Sequence, residues 1–497
     1  MDAGREPGAA RRIAANTVLR VGGEVVAKAA SFVFFVVMAR ELGEEGFGDF
    51  NFALSLATVL VAASGFGTSG LLSREVARDR GLVHEYMSNV GAVKAITSLG
   101  LFGVMVAIVN LGGYDSDARL AVYLVGAGLI VENYRSTWQA VMQAYERLGL
   151  ISVSLIVQRV TTAAVGVVLM LGGAGLVAVA AVYLGGALLG FVSAVILLRR
   201  AVVRPRREID PSRWLPLVRA GVPIGLVSLL FTVLLQIDAT LLSFLTGGDN
   251  TEVGVYSAAF RFVAAFFFLS WVFGAAVQPW FARQEDDRSP SLARGYELGI
   301  KVLTAALLPL GVGCAVLAEP LIDVLYGSDY AEAVLPLRLL AAVLVLYGIS
   351  QLTSVLLISR YRPGELHRVL VLVVAQNLGC NLLLIPLLEA DGAALSAAIS
   401  AVLLGALSLR SGSRVTGHLD LVRAFAGPLL AGAAMAAALL LLSPPLGAAI
   451  ALGALVYAVV LVPWERAVNR ADFDVVRATL GRRLGQPRAR PEPDPIA

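Results

Sequence analysis

Apolar runs of 18 or more residues recur from one end of this chain to the other, separated by short polar breaks. Inside a bilayer the backbone finds no water, so only helices or closed barrels can satisfy its N–H and C=O groups. A barrel needs alternating segments of roughly ten residues, and the sequence has none. The expected fold is therefore an all-α polytopic membrane protein. Composition agrees: 15% of the 497 residues are charged, against about a quarter in a soluble chain, and the mean hydropathy is +0.78.

Dividing the chain at its polar breaks gives fourteen candidate spans, near 17–39, 48–64, 87–110, 118–142, 150–171, 175–198, 219–245, 253–277, 297–317, 333–358, 367–388, 392–409, 424–442 and 446–464. The segment before them, 1–16, is polar and basic. The first apolar stretch outruns a signal-peptide core and lacks a small-residue cleavage site, so it is expected to stay as a helix.

The loops alternate in charge. One set carries Arg74, Arg78 and Arg80, then Arg147, then the run from Arg199 to Arg213, and later Arg283, Arg360, Arg410 and the tail after Trp464. The other set is acidic or neutral, as at Glu44-Glu45, Asp115-Ser-Asp117, Gly247-Gly-Asp249 and Glu389-Ala-Asp391. Positive loops stay on the cytoplasmic side. Both termini are thus expected in the cytoplasm, with the chain crossing the cell membrane an even number of times. A miscount of one span would destroy the alternation.

Self-similarity at fixed spacing marks duplicated bundles. Glu45-Gly-Phe-Gly-Asp-Phe-Asn-Phe-Ala-Leu54 resembles Thr251-Glu-Val-Gly-Val-Tyr-Ser-Ala-Ala-Phe260 at an offset of 206. Glu75-Val-Ala-Arg78 matches Trp280-Phe-Ala-Arg283 at 205, and Lys94 matches Lys301 at 207. The reading is two six-helix lobes, 17–198 and 219–409, related by a pseudo-twofold axis along the membrane normal. A basic linker, 199–218, joins them. Segment 410–464 adds a C-terminal helix pair with its preceding loop, and 465–497 forms a cytoplasmic tail. Within that tail 472–484 has the pattern of a short basic amphipathic helix.

Chemistry of the enzymatic kind has no foothold. Cys314 and Cys380 fall inside apolar segments, and His84, His367 and His418 lie at segment ends with no motif around them. No metal, cofactor or nucleic-acid partner is expected.

Ala39-Arg-Glu-Leu-Gly-Glu-Glu-Gly-Phe-Gly-Asp-Phe-Asn-Phe-Ala-Leu-Ser55 followed by Ser73-Arg-Glu-Val-Ala-Arg78 resembles the amino-terminal signature of polysaccharide-unit flippases. These belong to the multidrug/oligosaccharidyl-lipid/polysaccharide exporter superfamily. Gln236-Ile-Asp238, Gly254-Val-Tyr-Ser-Ala-Ala259, Leu325-Tyr-Gly-Ser-Asp-Tyr330 and Asn381-Leu-Leu-Leu-Ile-Pro386 extend the likeness over nearly the whole chain. The resemblance implies a two-lobed bundle with a central cavity that alternates between membrane faces. It also implies a substrate, an oligosaccharide on a polyprenyl diphosphate carried to the outer leaflet. A polysaccharide polymerase or glycosyltransferases are the protein partners it suggests.

The charges inside the spans are where function is expected. Arg20, Glu24 and Lys28 follow at i, i+4, i+8 and form one stripe on the first helix. At 1.5 Å per residue Lys28 lies roughly 16 Å deep, near the midplane. A central charge costs about 2.5–3.5 kcal/mol in lipid, so the stripe must face protein or water. Either Glu24 pairs with Lys28, or the stripe walls a cavity that meets an anionic lipid diphosphate. Arg159 has no acidic residue one turn away and needs a partner across helices. Arg261 and Asp238 are further cavity candidates. Asp238 is placed to pair with Arg261 or Lys28, and Asp238 and Glu24 are the candidates for carrying a coupling ion. Glu132 and Arg135, three apart, are expected to pair with each other. The lysines at 94 and 301 either share the substrate role or snorkel toward the interface. Tyr326, Tyr330 and Trp464 read as interfacial anchors, and the amides of Gln376, Asn377 and Asn381 as glue between helices.

Two rival readings remain open at this point. A multidrug or metabolite cation antiporter of the same architecture would want an acidic, aromatic cavity. A non-transporting envelope-assembly scaffold would need no cavity.

Overall fold

The computed structural model of the protein describes residues 7–284 and 286–468, with side chains from residue 22 onward except that of Ile224. The amphipathic segment expected at 472–484 and the side chain of Arg20 therefore lie outside the described residues. Fifteen α-helices and no strand occur among the described residues.

The first group is α1 (Pro7–Ser64), α2 (Thr68–Arg78), α3 (Val83–Leu111), α4 (Ser116–Ala144), α5 (Leu148–Leu171) and α6 (Leu176–Ala201). The second is α7 (Trp214–Leu245), α8 (Thr251–Ala264), α9 (Phe267–Ala282), α10 (Pro290–Val316), α11 (Ala318–Tyr326), α12 (Val334–Ser359) and α13 (Pro363–Thr416). The third is the pair α14 (Leu421–Leu442) and α15 (Leu446–Val468).

Backbone breaks convert these into the membrane segments read from hydropathy. α1 turns back at Gly43, with φ of 69°, and α13 at Glu389, with φ of 50°. α2 prolongs the second half of α1 beyond a bend at Phe66 and Gly67, and α8 with α9 forms one rod bent near Phe266. Counted this way, with the nine-residue α11 set aside as too short to span, fourteen rods match the fourteen apolar segments.

In the first lobe α1 packs on α4 and α5, and α6 closes against both of those. In the second, α12 is the hub for α9, α10 and α13, while α7 lies along α13. α14 and α15 pair with each other and dock on α10. The connection between the lobes is strapped down: Ser88 and Asn89 of α3 bond to the backbone of Arg206, Glu208 and Asp210.

Two glycine contacts close the seam where α1 and α2 meet α7 and α8. At one end a Cβ on Gly48 would fall 1.8 Å from the Asn250 carbonyl oxygen, and one on Gly254 would fall 2.1 Å from that of Glu44. Gly48 and Gly254, like Glu44 and Asn250, are separated by the 206-residue offset of the sequence repeat. The crossing is thus reciprocal, as a pseudo-twofold axis through it requires. At the other end, Gly67 (φ 68°) leaves no room for a side chain, because a Cβ there would lie 2.4 Å from the Gly225 nitrogen and 2.5 Å from the Gly221 oxygen.

Side chains reinforce the first crossing. Asn250 donates to Asp49, Tyr330 donates to the Ala39 carbonyl, and Arg40 Nε donates to the Leu325 carbonyl. Tyr326 and Tyr330 are accordingly buried, 4% and 1% exposed, and are not the interfacial anchors their position suggested. Burial pushes the neighbouring Glu44 carboxyl up from its ordinary value, and the charges of Glu332 and Asp329 add to the shift.

The crossing can be tested by a single methyl. Gly254→Ala is expected to lower stability by about 1–3 kcal/mol, the usual cost of overpacking, read as a drop in Tm in detergent. Gly185→Ala, where nothing lies within 4 Å, should leave Tm unchanged.

Candidate functional site

A cavity of about 420 Å³ lies on the seam between the two closed contacts. Its wall is built from both lobes. The polar stripe of α1 supplies Glu24 and Lys28, and the same face continues as Ser31 and Phe35. α4, α5 and α6 add Glu132, Arg159 and Tyr183, and the second lobe contributes Gln236 of α7, Arg261 of α8 and Tyr326 of α11. Three cations thus face two carboxylates.

Each cation is held differently. Lys28 is solvent-accessible; it feels Glu24 one turn away and Arg159 across the cavity, yet makes no direct ion pair among the described residues. The expected Glu24–Lys28 pair is therefore not formed, because both side chains point into the open cavity, where water competes. Arg159 finds the cross-helix partner it needs in Glu132, at 3.3 Å. Arg261 stacks on the Phe35 ring at 3.8 Å and donates through Nε and Nη2 to Asn51 Oδ1 at 2.8 and 2.6 Å. Asn51 in turn is fixed by its bond to the Phe47 carbonyl.

Glu132 accepts from three neighbours: Arg159 on one oxygen, Gln158 and the Tyr183 hydroxyl on the other. Its expected partner Arg135 points away from the cavity, 5% exposed, and reaches only the Ser154 carbonyl at 3.5 Å. The i,i+3 pairing fails because α5 and α6 present stronger partners to the carboxylate than its own helix does.

Asp238 is not in the cavity and pairs with neither Arg261 nor Lys28. It is buried in the second lobe, where Asn377 and Asn381 donate to one oxygen at 3.0 and 2.6 Å and the Tyr256 hydroxyl donates to the other at 3.0 Å. Ser396 and Ser400 complete the network through Asn377. Asn377 and Asn381 act here as glue and carry a carboxylate with them, whereas Gln376 donates to Cys380 of its own helix. A void of about 30 Å³ adjoins Asp238.

The other two lysines also leave the cavity, and neither snorkels. Lys94 is 2% exposed and donates to Ser69, Ser136 and the Asn133 carbonyl. Its repeat partner Lys301 meets Glu465 of α15 at 2.5 Å. Neither set of partners could be paired with its lysine from spacing alone, since each lies on a different helix.

Sequence reasoning missed Tyr183 and Gln236 as cavity residues and Asn51 as the residue that holds Arg261. Asn51 and Gln236 stand inside the quoted motifs, so a search for neutral polar residues there would have found them. Tyr183 carries no such mark.

Residues 13–285 match the protein-family model described as polysaccharide biosynthesis protein. The probable low-salt glycan biosynthesis flippase Agl15 of Haloferax volcanii is 24% identical over 378 residues, 74% of this chain and 77% of that protein. The succinoglycan biosynthesis transport protein ExoT of Rhizobium meliloti is 30% identical over 348 residues, 66% of each. Among solved structures, a lipid II flippase MurJ in an inward closed conformation superposes with a TM-score of 0.75 at 14% identity, covering 91% of this chain and 99% of that one. An inward-facing multidrug resistance MATE transporter gives 0.62 at 14% identity, covering 80% and 97%. At such identities the structures establish a shared fold.

The wall can be probed by thiol chemistry. A cysteine replacing Lys28 or Arg159 is expected to react with a water-soluble maleimide, and one replacing Asp238 is not. Labelling measured by mass shift on the purified protein checks this.

Proposed function

Because this chain belongs to the polysaccharide biosynthesis protein family, we propose that it flips polyprenyl-diphosphate-linked oligosaccharide units from the cytoplasmic to the outer leaflet. The observation that carries the reading is the excess of cation in a cavity on the seam between two pseudo-symmetric lobes. A diphosphate leaving water needs charge-assisted hydrogen bonds, and Lys28, Arg159 and Arg261 are the groups that would give them. Glu24 and Gln236, beside them, would meet the first sugar. The prenyl chain stays in lipid while the headgroup crosses.

Access alternates by rocking of the lobes. On the orientation read from the loops, the Gly48–Gly254 crossing is the outer gate and the Gly67–Gly221–Gly225 contact the cytoplasmic one. Parting one of these crossings while the other holds would open the cavity to one membrane face at a time. Both termini would lie in the cytoplasm and the protein in the cell membrane, next to the polymerase and glycosyltransferases that use and make its substrate.

Coupling is assigned to Asp238. It is held by neutral donors only among the described residues, so taking up a proton removes charge from the second lobe without breaking an ion pair. The cation antiporter of the same architecture fits less well, since an organic cation would meet three like charges there.

Two measurements test the proposal. Depleting the protein should accumulate lipid-linked glycans in the cytoplasmic leaflet, and normal delivery to the outer leaflet would overturn the reading. In vesicles, Lys28→Ala and Arg261→Ala should each slow glycolipid flipping by at least about tenfold, as loss of a charge-assisted bond worth about 1.5–3 kcal/mol implies. Asp238→Asn should abolish the response of flipping to a pH gradient while leaving substrate binding intact.

A further inference from the structure

Glu132 is out of place in a site built for an anion. It lines the cavity, its side chain is 15% exposed, and it holds one of the three cations a phosphate would need. Directly behind it Arg135 has the opposite problem. That guanidinium is buried, its one hydrogen bond is long at 3.5 Å, and its Nε finds no partner among the described residues. Buried guanidinium groups are normally far better satisfied. A Cβ on Gly190 would sit 3.1 Å from Arg135 Nη1, so α6 walls this group in and leaves it no route to solvent there.

Residues three apart on a helix are neighbours on its surface, so the Glu132 carboxylate needs only a change of side-chain rotamer to reach Arg135. The carboxylate already acts electrostatically on both guanidinium groups.

We propose that Glu132 is an internal stand-in for the substrate's phosphate, bound to Arg159 when the cavity is empty and passed back to Arg135 when a diphosphate takes Arg159. The inference rests on the flippase reading above and adds to it a device for the return half of the cycle. A bare guanidinium facing the cavity would make reorientation of the empty carrier costly. With Glu132 in place, Arg159 is neutralised in both halves, by a carboxylate on the way back and by substrate on the way out. Arg135 is the waiting partner that keeps the displaced carboxylate from remaining an uncompensated charge. Neither residue is a ligand for the sugar; both are positioning residues acting through Arg159.

The test uses the full-length protein in detergent titrated with farnesyl diphosphate, together with flipping rates in vesicles. Glu132→Gln frees Arg159 and should bind the probe about tenfold more tightly, yet turn over more slowly at saturating substrate. Arg135→Gln leaves Glu132 with nowhere to go and should bind several-fold more weakly than wild type, while Arg135→Lys should bind like wild type. The double variant Glu132→Gln/Arg135→Gln should bind as tightly as Glu132→Gln alone. A purely structural Glu132 predicts the reverse, since losing it would misplace Arg159 and weaken binding. Unchanged or weaker binding by Glu132→Gln therefore overturns the relay, and that single variant decides the matter if Arg135→Gln does not fold. Failure of wild type to bind farnesyl diphosphate at all would sink the flippase reading itself, and the relay with it.

Discussion

A charge held within the bilayer has to be turned toward protein or water, and the interior of this protein is arranged around that requirement. Asp238 is answered by two amides and a phenol, Lys94 by two hydroxyls and a carbonyl, Lys301 by a carboxylate from the last helix. These groups are settled within a lobe or against the added helix pair. Lys28, Arg159 and Arg261 instead converge on the seam, where Lys28 has no ion pair among the described residues and Arg159 and Arg261 keep part of their surface toward the cavity. The cavity is the place where satisfaction by protein stops and satisfaction by a ligand becomes possible.

The seam itself is closed by backbone against backbone. At Gly48 and Gly254, and again at Gly67, no side chain can be interposed without moving a helix. Backbone contacts of this kind are short-ranged, so they suit surfaces that must part and meet again. Packed interfaces are bistable, not continuously deformable, which is what rocking between two open states demands. The reciprocal crossing at Gly48 and Gly254 also explains why the sequence repeat is clearest there: two copies of one segment pack on each other across the pseudo-axis.

Much of the cavity was legible because it follows from helical periodicity. A stripe at i, i+4, i+8 fixes one face, and the deepest members of that face, Glu24 and Lys28, do line the cavity. Arg159 was marked by its isolation and Arg261 by being a charge inside an apolar span. Errors arose wherever a residue had to choose between a partner on its own helix and one on another. Glu132 and Arg135 satisfied the spacing rule for a pair, but Gln158, Arg159 and Tyr183 lie closer to the carboxylate in space. Tyr326 and Tyr330 had the composition of interface anchors, but Tyr330 is bonded to the Ala39 carbonyl of α1 and Tyr326 lines the cavity.

By itself the sequence determined the number of membrane segments, their duplication at an offset of 206, and which charges cannot face lipid. Those properties are local or periodic, set by the thickness of the bilayer and the pitch of the helix. Only the tertiary structure decided which charge meets which, since a carboxylate's choice among several cations depends on helix packing to within an ångström or two. It was that choice that drew Asp238 away from the cavity, gave Arg159 to Glu132, and left Arg135 waiting behind them.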